Sequence, residues 1–183
     1  MGWPSLDGCG FGVQQLRKSD NPVRIRLAGR EDMEALFALD QQCFRTGIAY
    51  SKAELQYFLF HPRSISVVAE SAAGIAGFAI MEFPMENGRP IGHIVTIDVS
   101  PAQRRKGVGR LLMDALLDLC RRAEASHMRL EVAEDNDGAL AFYRGLGFTE
   151  TGRIRGFYMG KLDALQMGLE VGEATRTAVR ASR

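Results

Sequence analysis

The stretch QRRKGVGRLLMDAL, residues 103–116, decides how the rest of the chain is interpreted. Its apolar residues recur at helical spacing and predict the first turns of an amphipathic helix that begins at Gln103. Gly107 and Gly109 then fall just inside the start of that helix. Glycine in a helix interior costs about 1 kcal/mol relative to alanine. The two glycines therefore indicate a turn with a use other than helix stability.

Backbone amides at a helix start are suited to an anion, because the first N–H groups have no intrahelical partners and lie at the positive end of the helix dipole. Glycine removes side chains that would keep a phosphate away from those amides. Arg104, Arg105, Lys106 and Arg110 add positive charge. The turn predicts a pyrophosphate site, and the alternative at this point is an ordinary surface helix start with solvated charges.

Two common nucleotide motifs do not fit. A P-loop would need glycine where Arg155 stands and Ser or Thr where Leu162 stands. A dinucleotide fingerprint would need a third glycine at the position of Leu112. The expected phosphate site is therefore of another kind.

The flanking pattern alternates between strand and helix periods. The stretch VRIRLA predicts a first strand with Val23, Ile25 and Leu27 on one face, and Asn87-Gly88 is a strong hairpin signal. The predicted order is β-α-α-β-β-β-α-β-α-β-β. The strands on either side of residues 103–122 should form a right-handed crossover with parallel pairing. Ligands of such units bind where the first strand ends, which is where the glycine turn lies.

Composition restricts the functional classes. The chain has 183 residues and a net charge of +1, which argues against nucleic-acid binding. The three cysteines have neither the spacing of a disulfide framework nor that of metal ligands. The histidines also lack metal-ligand spacing, so we expect no metal. No apolar run or basic-then-apolar leader predicts membrane insertion or export. We expect a cytoplasmic protein, with residues 1–22 as a flexible leader, 23–171 as one domain and 172–183 as a flexible tail.

The motifs resemble one family. Arg104-x-x-Gly107-x-Gly109, after a strand and opening a helix, resembles the acetyl-CoA pyrophosphate motif of the GNAT acetyltransferases, and EVAEDNDGALAFYRGLGF resembles the second half of the same fold. Within GNAT the likeness is greatest to the bacterial ribosomal-protein-alanine N-acetyltransferases. The resemblance implies an α/β (α+β) fold: a mixed, mostly antiparallel seven-stranded sheet with a central parallel strand pair, flanked by about four helices.

The resemblance also implies roles for particular residues. Glu131 would be the general base and Tyr143 the general acid. Acetyl-CoA would be held by Ile97, Val99, Arg104, Arg105, Lys106, Gly107, Val108, Gly109, Arg110 and Asn136. The acceptor would contact Tyr50, Phe157 and Tyr158, which lie in the loop at residues 45–51 and in the last hairpin at residues 156–164.

The residues alone leave alternatives open. Glu131 lies on the polar face of its strand and is by itself compatible with a solvated carboxylate, and Asp98, Glu134 and Asp135 are substitutes for the base. A lone tyrosine is more often a core residue. His93 is compatible either with the substrate side or with an ordinary strand end.

The first choice of acceptor is the α-amine of a protein or peptide. The pKa of an α-amine is near 8, whereas that of a lysine side chain is near 10.4. Deprotonation of the α-ammonium group is therefore easier by about 3 kcal/mol. The alternatives are a small amine, such as a polyamine, amino acid or aminoglycoside, and a non-catalytic acyl-CoA-binding module. We expect direct attack in a ternary complex and a monomer or homodimer.

Overall fold

A computed structural model of the chain describes residues 23–44 and 47–172. The strands of its main sheet are β1 (Arg24–Leu27), β2 (Ser64–Ser71), β3 (Gly74–Glu82), β6 (Gly92–Val99), β7 (His127–Ala133), β8 (Thr149–Tyr158) and β9 (Leu162–Glu170). A separate hairpin consists of β4 (Met85–Glu86) and β5 (Arg89–Pro90). The helices are α1 (Met33–Cys43), α2 (Lys52–Phe60), α3 (Val108–Arg122) and α4 (Asp137–Gly145).

The seven strands of the main sheet lie in the order β1-β2-β3-β6-β7-β9-β8. All neighbours are antiparallel except β6 and β7, the pair that the crossover predicted. The predicted element order and mixed sheet are confirmed, and the Asn87-Gly88 signal forms the turn of the β4–β5 hairpin.

Helices cover both faces of the sheet. The alternation of β3 divides its side chains, because Ala79 and Met81 pack with α3 while Phe78 and Ile80 pack with α1 and α2. The predicted apolar face of α3 is buried as a whole: Leu111, Leu112, Ala115, Leu116, Leu119 and Cys120. On the other face, a Ser51–Glu54 capping box begins α2.

The start of α3 corrects the sequence prediction. The helix begins at Val108 and not at Gln103, and residues 101–103 form a separate short 3₁₀ turn. Gly107 is the residue before the helix, with a φ of 86° in the left-handed region that favours glycine. Only Gly109 lies within the helix, so the expected penalty in the helix interior applies to one glycine and not to two.

The face predicted for β1 also needs a correction. Val23 and Ile25 are buried, but Leu27 is 46% exposed at the end of the strand. β1 is an edge strand and pairs only with β2 among the described strands.

The proposed leader at residues 1–22 and all but the first residue of the proposed tail lie outside the described residues. In the part of the chain that is described, no helix is both long enough and apolar enough to cross a membrane.

Candidate active site

The strands β6 and β7 separate along their length and leave an opening, here called the strand gap. Their parallel pairing ends at Ile94 and Leu130, although both strands continue beyond these residues. Val95 is an extra residue in the pairing of β6 with β3, where Ile94 and Thr96 face consecutive residues of β3. Such bulges bend strands and are frequent beside active sites. This bulge accompanies the divergence of β6 from β7.

The strand gap connects two larger openings. The glycine-turn cleft, about 640 Å³, lies between the C-terminal half of β6, the start of α3 and the helix α4. The aromatic cavity, about 730 Å³, lies on the other side, between α1, α2 and the turn from β8 to β9. Tyr143 lines both the strand gap and the cleft, whereas Glu131 lines both the gap and the aromatic cavity. The two proposed catalytic side chains therefore lie at opposite ends of one passage.

Most residues predicted to bind the coenzyme line the glycine-turn cleft: Ile97, Val99, Arg104, Arg105, Gly107, Gly109, Arg110 and Asn136. Lys106 and Val108 are not among the lining residues. The Val108 side chain is directed into the core, with 1% exposure. For Val108, a role at the cleft is therefore limited to its backbone.

The glycine turn fits a pyrophosphate. A methyl group on Gly109 would lie 3.4 Å from Phe142 Cζ and 3.7 Å from Val99 Cγ2, so that it would take up space between the two walls of the cleft. Gly107, in its left-handed conformation, is the N-cap of α3, whose first N–H groups are at this end of the cleft. Arg104, Arg105 and Arg110 surround these amides with positive charge. The residues present are thus suited to a bound anion.

The opposite wall of the cleft is partly formed by Asn136, the N-cap of α4. Its side-chain oxygen accepts a hydrogen bond from Ala139 N at 3.1 Å. This bond orients the side-chain amide group, whose N–H donors are separate from the capping oxygen. Asn136 can therefore cap the helix and donate to a ligand at the same time.

The backbone carbonyl of Val99 already has two donors. The Cys43 thiol lies 3.4 Å from it and Arg104 Nε lies 3.2 Å from it. Burial, together with the nearby charge of Asp98, raises the pKa of Cys43 to about 11, so its thiol is neutral near pH 7. Cys43 therefore forms part of the wall and is not an activated nucleophile.

Glu131 is held between two polar side chains. His93 Nε2 donates to one carboxylate oxygen at 2.7 Å, and Gln166 Nε2 donates to the other at 3.4 Å. Burial acts to raise the pKa of Glu131, but the hydrogen bonds and charges of His93, Gln166 and Arg129 together outweigh it, and the pKa is lowered. Glu131 is consequently ionised near pH 7 and can accept a proton.

Tyr143 is buried on α4, with its ring against Phe142 and Phe148. Burial and the nearby charge of Asp98 raise the pKa of its hydroxyl well above the ordinary value. The phenol is therefore protonated near pH 7 and has a proton to donate.

The three residues predicted to contact the acceptor, Tyr50, Phe157 and Tyr158, all line the aromatic cavity. Tyr50 is fixed in place, since its N–H donates to Asp40 Oδ2 at 2.9 Å and its carbonyl accepts from Gln41 Nε2 at 2.8 Å. Its hydroxyl donates to the carbonyl of Val95 in the bulge at 3.2 Å. Tyr50 thus connects α1 and the loop before α2 to the edge of the strand gap.

Two features of the site were missed or underrated from the sequence. His93 is the hydrogen-bond partner of Glu131, and its position two residues before Val95 and four before Ile97 already placed it on their face of β6. Cys43 and Phe44 line the cleft from the end of α1, and no motif marks them. Their contribution depends on tertiary packing.

A comparison with protein-family models matches residues 33–148 to the family described as Acetyltransferase (GNAT) family. Among curated proteins, the N-alpha-acetyltransferase RimI of Mycobacterium tuberculosis is 33% identical over 154 residues, which cover 83% of this chain and 95% of that protein. The streptothricin acetyltransferase of Streptomyces lavendulae is 39% identical over 98 residues, covering 53% of this chain and 51% of that protein.

Among solved structures, the ribosomal-protein-S18-alanine N-acetyltransferase from Escherichia coli superposes with a TM-score of 0.71 at 26% identity. The match covers 81% of this chain and 96% of the solved chain. The resemblance predicted from the motifs is therefore confirmed.

Proposed function

The chain belongs to the acetyltransferase (GNAT) family, and we propose that its acceptor is the α-amine of a protein or peptide N-terminus. As a family member it is an acetyl-CoA-dependent acyltransferase. The observation that carries the proposal is the strand gap, which joins the glycine-turn cleft to the aromatic cavity and has Tyr143 and Glu131 at its two ends.

The glycine-turn cleft is the proposed coenzyme site. Backbone amides between Gly107 and Arg110 would bind the pyrophosphate, and Asn136 would donate to the rest of the coenzyme. Ile97 and Val99 would supply the strand edge along which it lies. When bound, acetyl-CoA supplies the activated acetyl group.

Proton movement is assigned to the two ends of the gap. Glu131 accepts a proton from the incoming ammonium group, directly or through one water, because an amine attacks only when it is neutral. His93 holds the carboxylate ionised and oriented. Tyr143 donates the proton that the leaving sulfur needs.

A peptide acceptor is supported by the aromatic cavity and by the names of two relatives. Tyr50, Phe157 and Tyr158 present flat surfaces to a chain that enters towards Glu131. The mycobacterial relative is named an N-alpha-acetyltransferase, and the Escherichia coli relative is named a ribosomal-protein-S18-alanine N-acetyltransferase. The lower pKa of an α-amine than of a lysine also favours it as the attacking group.

A small amine is the second candidate, supported by the similarity to streptothricin acetyltransferase. The aromatic cavity contains two carboxylates, Glu54 and Glu131, but each already has a described partner. A polycation would have to share these carboxylates with Ser51 and His93.

A cytoplasmic location and a monomeric or homodimeric state stay predictions.

The deciding experiment measures thiol release from acetyl-CoA with three kinds of acceptor. These are a lysine-free peptide with a free α-amine, an α-acetylated peptide that contains lysine, and a panel of spermidine and streptothricin. We expect turnover of the first peptide only, with mass spectrometry placing the acetyl group on its N-terminus. Turnover of small amines without turnover of any peptide would refute the proposal.

A further inference from the structure

The aromatic cavity has an apolar inner wall, formed by Phe37, Tyr50, Phe58 and Val95. All four side chains pack against the hydrophobic cluster between α1, α2 and the sheet and are only partly buried. The Tyr50 and Phe58 rings meet edge to face with their centroids 5.4 Å apart. The wall is therefore a partly open face of the core, supported from behind by buried side chains.

The polar groups that line the cavity beside this wall form hydrogen bonds with one another or with the backbone of Tyr50. Glu54 Oε2 accepts from the Ser51 backbone N–H at 2.9 Å, and Gln41 Nε2 donates to the Tyr50 carbonyl at 2.8 Å. The described lining residues include no lysine or arginine. An acidic side chain would therefore meet no described lysine or arginine here, and it would face the carboxylates of Glu54 and Glu131, of which Glu131 already holds His93.

The outer side of the cavity is closed by a contact between two loops. Gly47, with a φ of 91°, lies so close to Met159 that a Cβ on Gly47 would overlap Met159 Sδ. Met159 is 67% exposed, and its flexible thioether can adapt to what lies beneath it. The cavity thus has a rigid aromatic inner wall and an adaptable apolar outer side.

We propose that the preferred acceptor carries a large apolar side chain on its first residue, of the methionine, leucine or phenylalanine class, and that Phe37, Tyr50, Phe58 and Val95 bind that side chain. This inference rests on the proposed function. With the α-amine at Glu131, the first side chain is the part of the acceptor nearest to this wall. Small first residues leave the wall exposed to water, and acidic ones bring an unpaired charge beside it.

The first test uses the unaltered protein and a series of hexapeptides that differ only in residue one: Met, Leu, Phe, Ala, Ser, Asp or Lys. We expect kcat/KM for Leu or Met to exceed that for Ala by at least about tenfold, the discrimination that a few methylene groups provide in an apolar pocket. Asp should be the poorest acceptor. A preference for Ala or Ser would overturn the inference and leave the peptide function standing, whereas exclusive turnover of small amines would overturn both.

The second test compares two phenylalanines of α2. Phe58 lines the aromatic cavity, whereas Phe60 packs on the same core cluster but lies beneath Arg30, in a different groove. Phe58→Ala should reduce the preference for Leu over Ala at least about threefold, while the matched control Phe60→Ala should keep it. Equal loss of preference in both variants, or none in Phe58→Ala, would contradict the assignment of the wall. If Phe58→Ala does not fold, the peptide series still decides.

Discussion

The two glycines of the α3 turn should respond to alanine in opposite ways. Gly107 has a φ of 86°, where an L-residue costs about 1–2 kcal/mol, so Gly107→Ala should destabilise the fold by that amount. Gly109 lies within α3, where alanine is favoured by up to about 1 kcal/mol. We therefore expect Gly109→Ala to stabilise the protein, and the two variants to differ by about 2 kcal/mol in the free energy of unfolding.

Coenzyme binding should change in the same direction in both variants. The added methyl of Gly109→Ala stands 3.4 Å from Phe142, which the protein can accommodate, but it also faces the cleft. Gly107→Ala disturbs the backbone that presents the first amides of α3. We expect the Kd for acetyl-CoA to rise at least about tenfold in each variant, since bonds to a charged ligand contribute about 1.5–3 kcal/mol.

Urea unfolding measures the free energy of unfolding of each variant, and calorimetric titration measures its Kd for acetyl-CoA. Gly145→Ala is the control, because Gly145 ends α4, does not line the cleft and has open space where the added methyl group would lie. It should leave the Kd unchanged. A stabilised Gly109→Ala variant that binds acetyl-CoA with the original Kd would refute the amide cradle. A Gly107→Ala variant of unchanged stability would refute the left-handed turn.

Further predictions concern the titrating groups. Glu131→Gln should lower kcat by about 10²–10⁴-fold while the Kd for acetyl-CoA stays within about twofold, as checked by steady-state kinetics and calorimetry. His93→Ala removes the largest of the effects that lower the pKa of Glu131, so this pKa should rise and the acidic limb of the plot of kcat against pH should move to higher pH; an unmoved limb would argue against the pair. Tyr143→Phe should lower kcat much more than coenzyme affinity, and equal losses would indicate a binding residue. Burial raises the pKa of Asp98 to about 8, so the native state keeps a proton that the unfolded state releases near 3.8, and stability should fall as pH rises between these values. In Asp98→Asn this decline should be smaller, as checked by melting temperatures measured from pH 5 to 9. A decline as steep as in the parent protein would contradict the raised pKa of Asp98.

The residues of the glycine-turn cleft could be brought together from the sequence because most of its signals are local. The residues from Ile97 to Arg110 form one strand end and one helix start, so a short stretch contains both the amides and the charges. The same locality explains the misplaced helix start. Residues 103–107 contain no apolar side chain whose spacing could locate the helix start, and the left-handed φ of Gly107 and Arg105 is not expressed in hydrophobic periodicity.

The bulge at Val95 could not be predicted for a different reason. The stretch IGHIVTIDV has apolar residues on both faces of the strand, and the extra residue appears only when β6 is paired with β3. The His93–Glu131 contact likewise joins residues 38 positions apart, through the alignment of β6 with β7. Sequence spacing gives the face of each strand, whereas the pairing of the strands decides which side chains meet.

The acceptor half depends on contacts that are still more distant, and this limits what the family match implies. The matched residues, 33–148, include the whole glycine turn, Glu131 and Tyr143. They end before β8 and β9, whose turn supplies Phe157, Tyr158 and Met159 to the aromatic cavity. The family match therefore covers the proposed donor side and the two proposed proton-transfer groups, while the proposed acceptor site depends partly on a segment outside the match. For this reason the acceptor must be tested with the chain's own cavity, by varying the first residue of the peptide and Phe58 together.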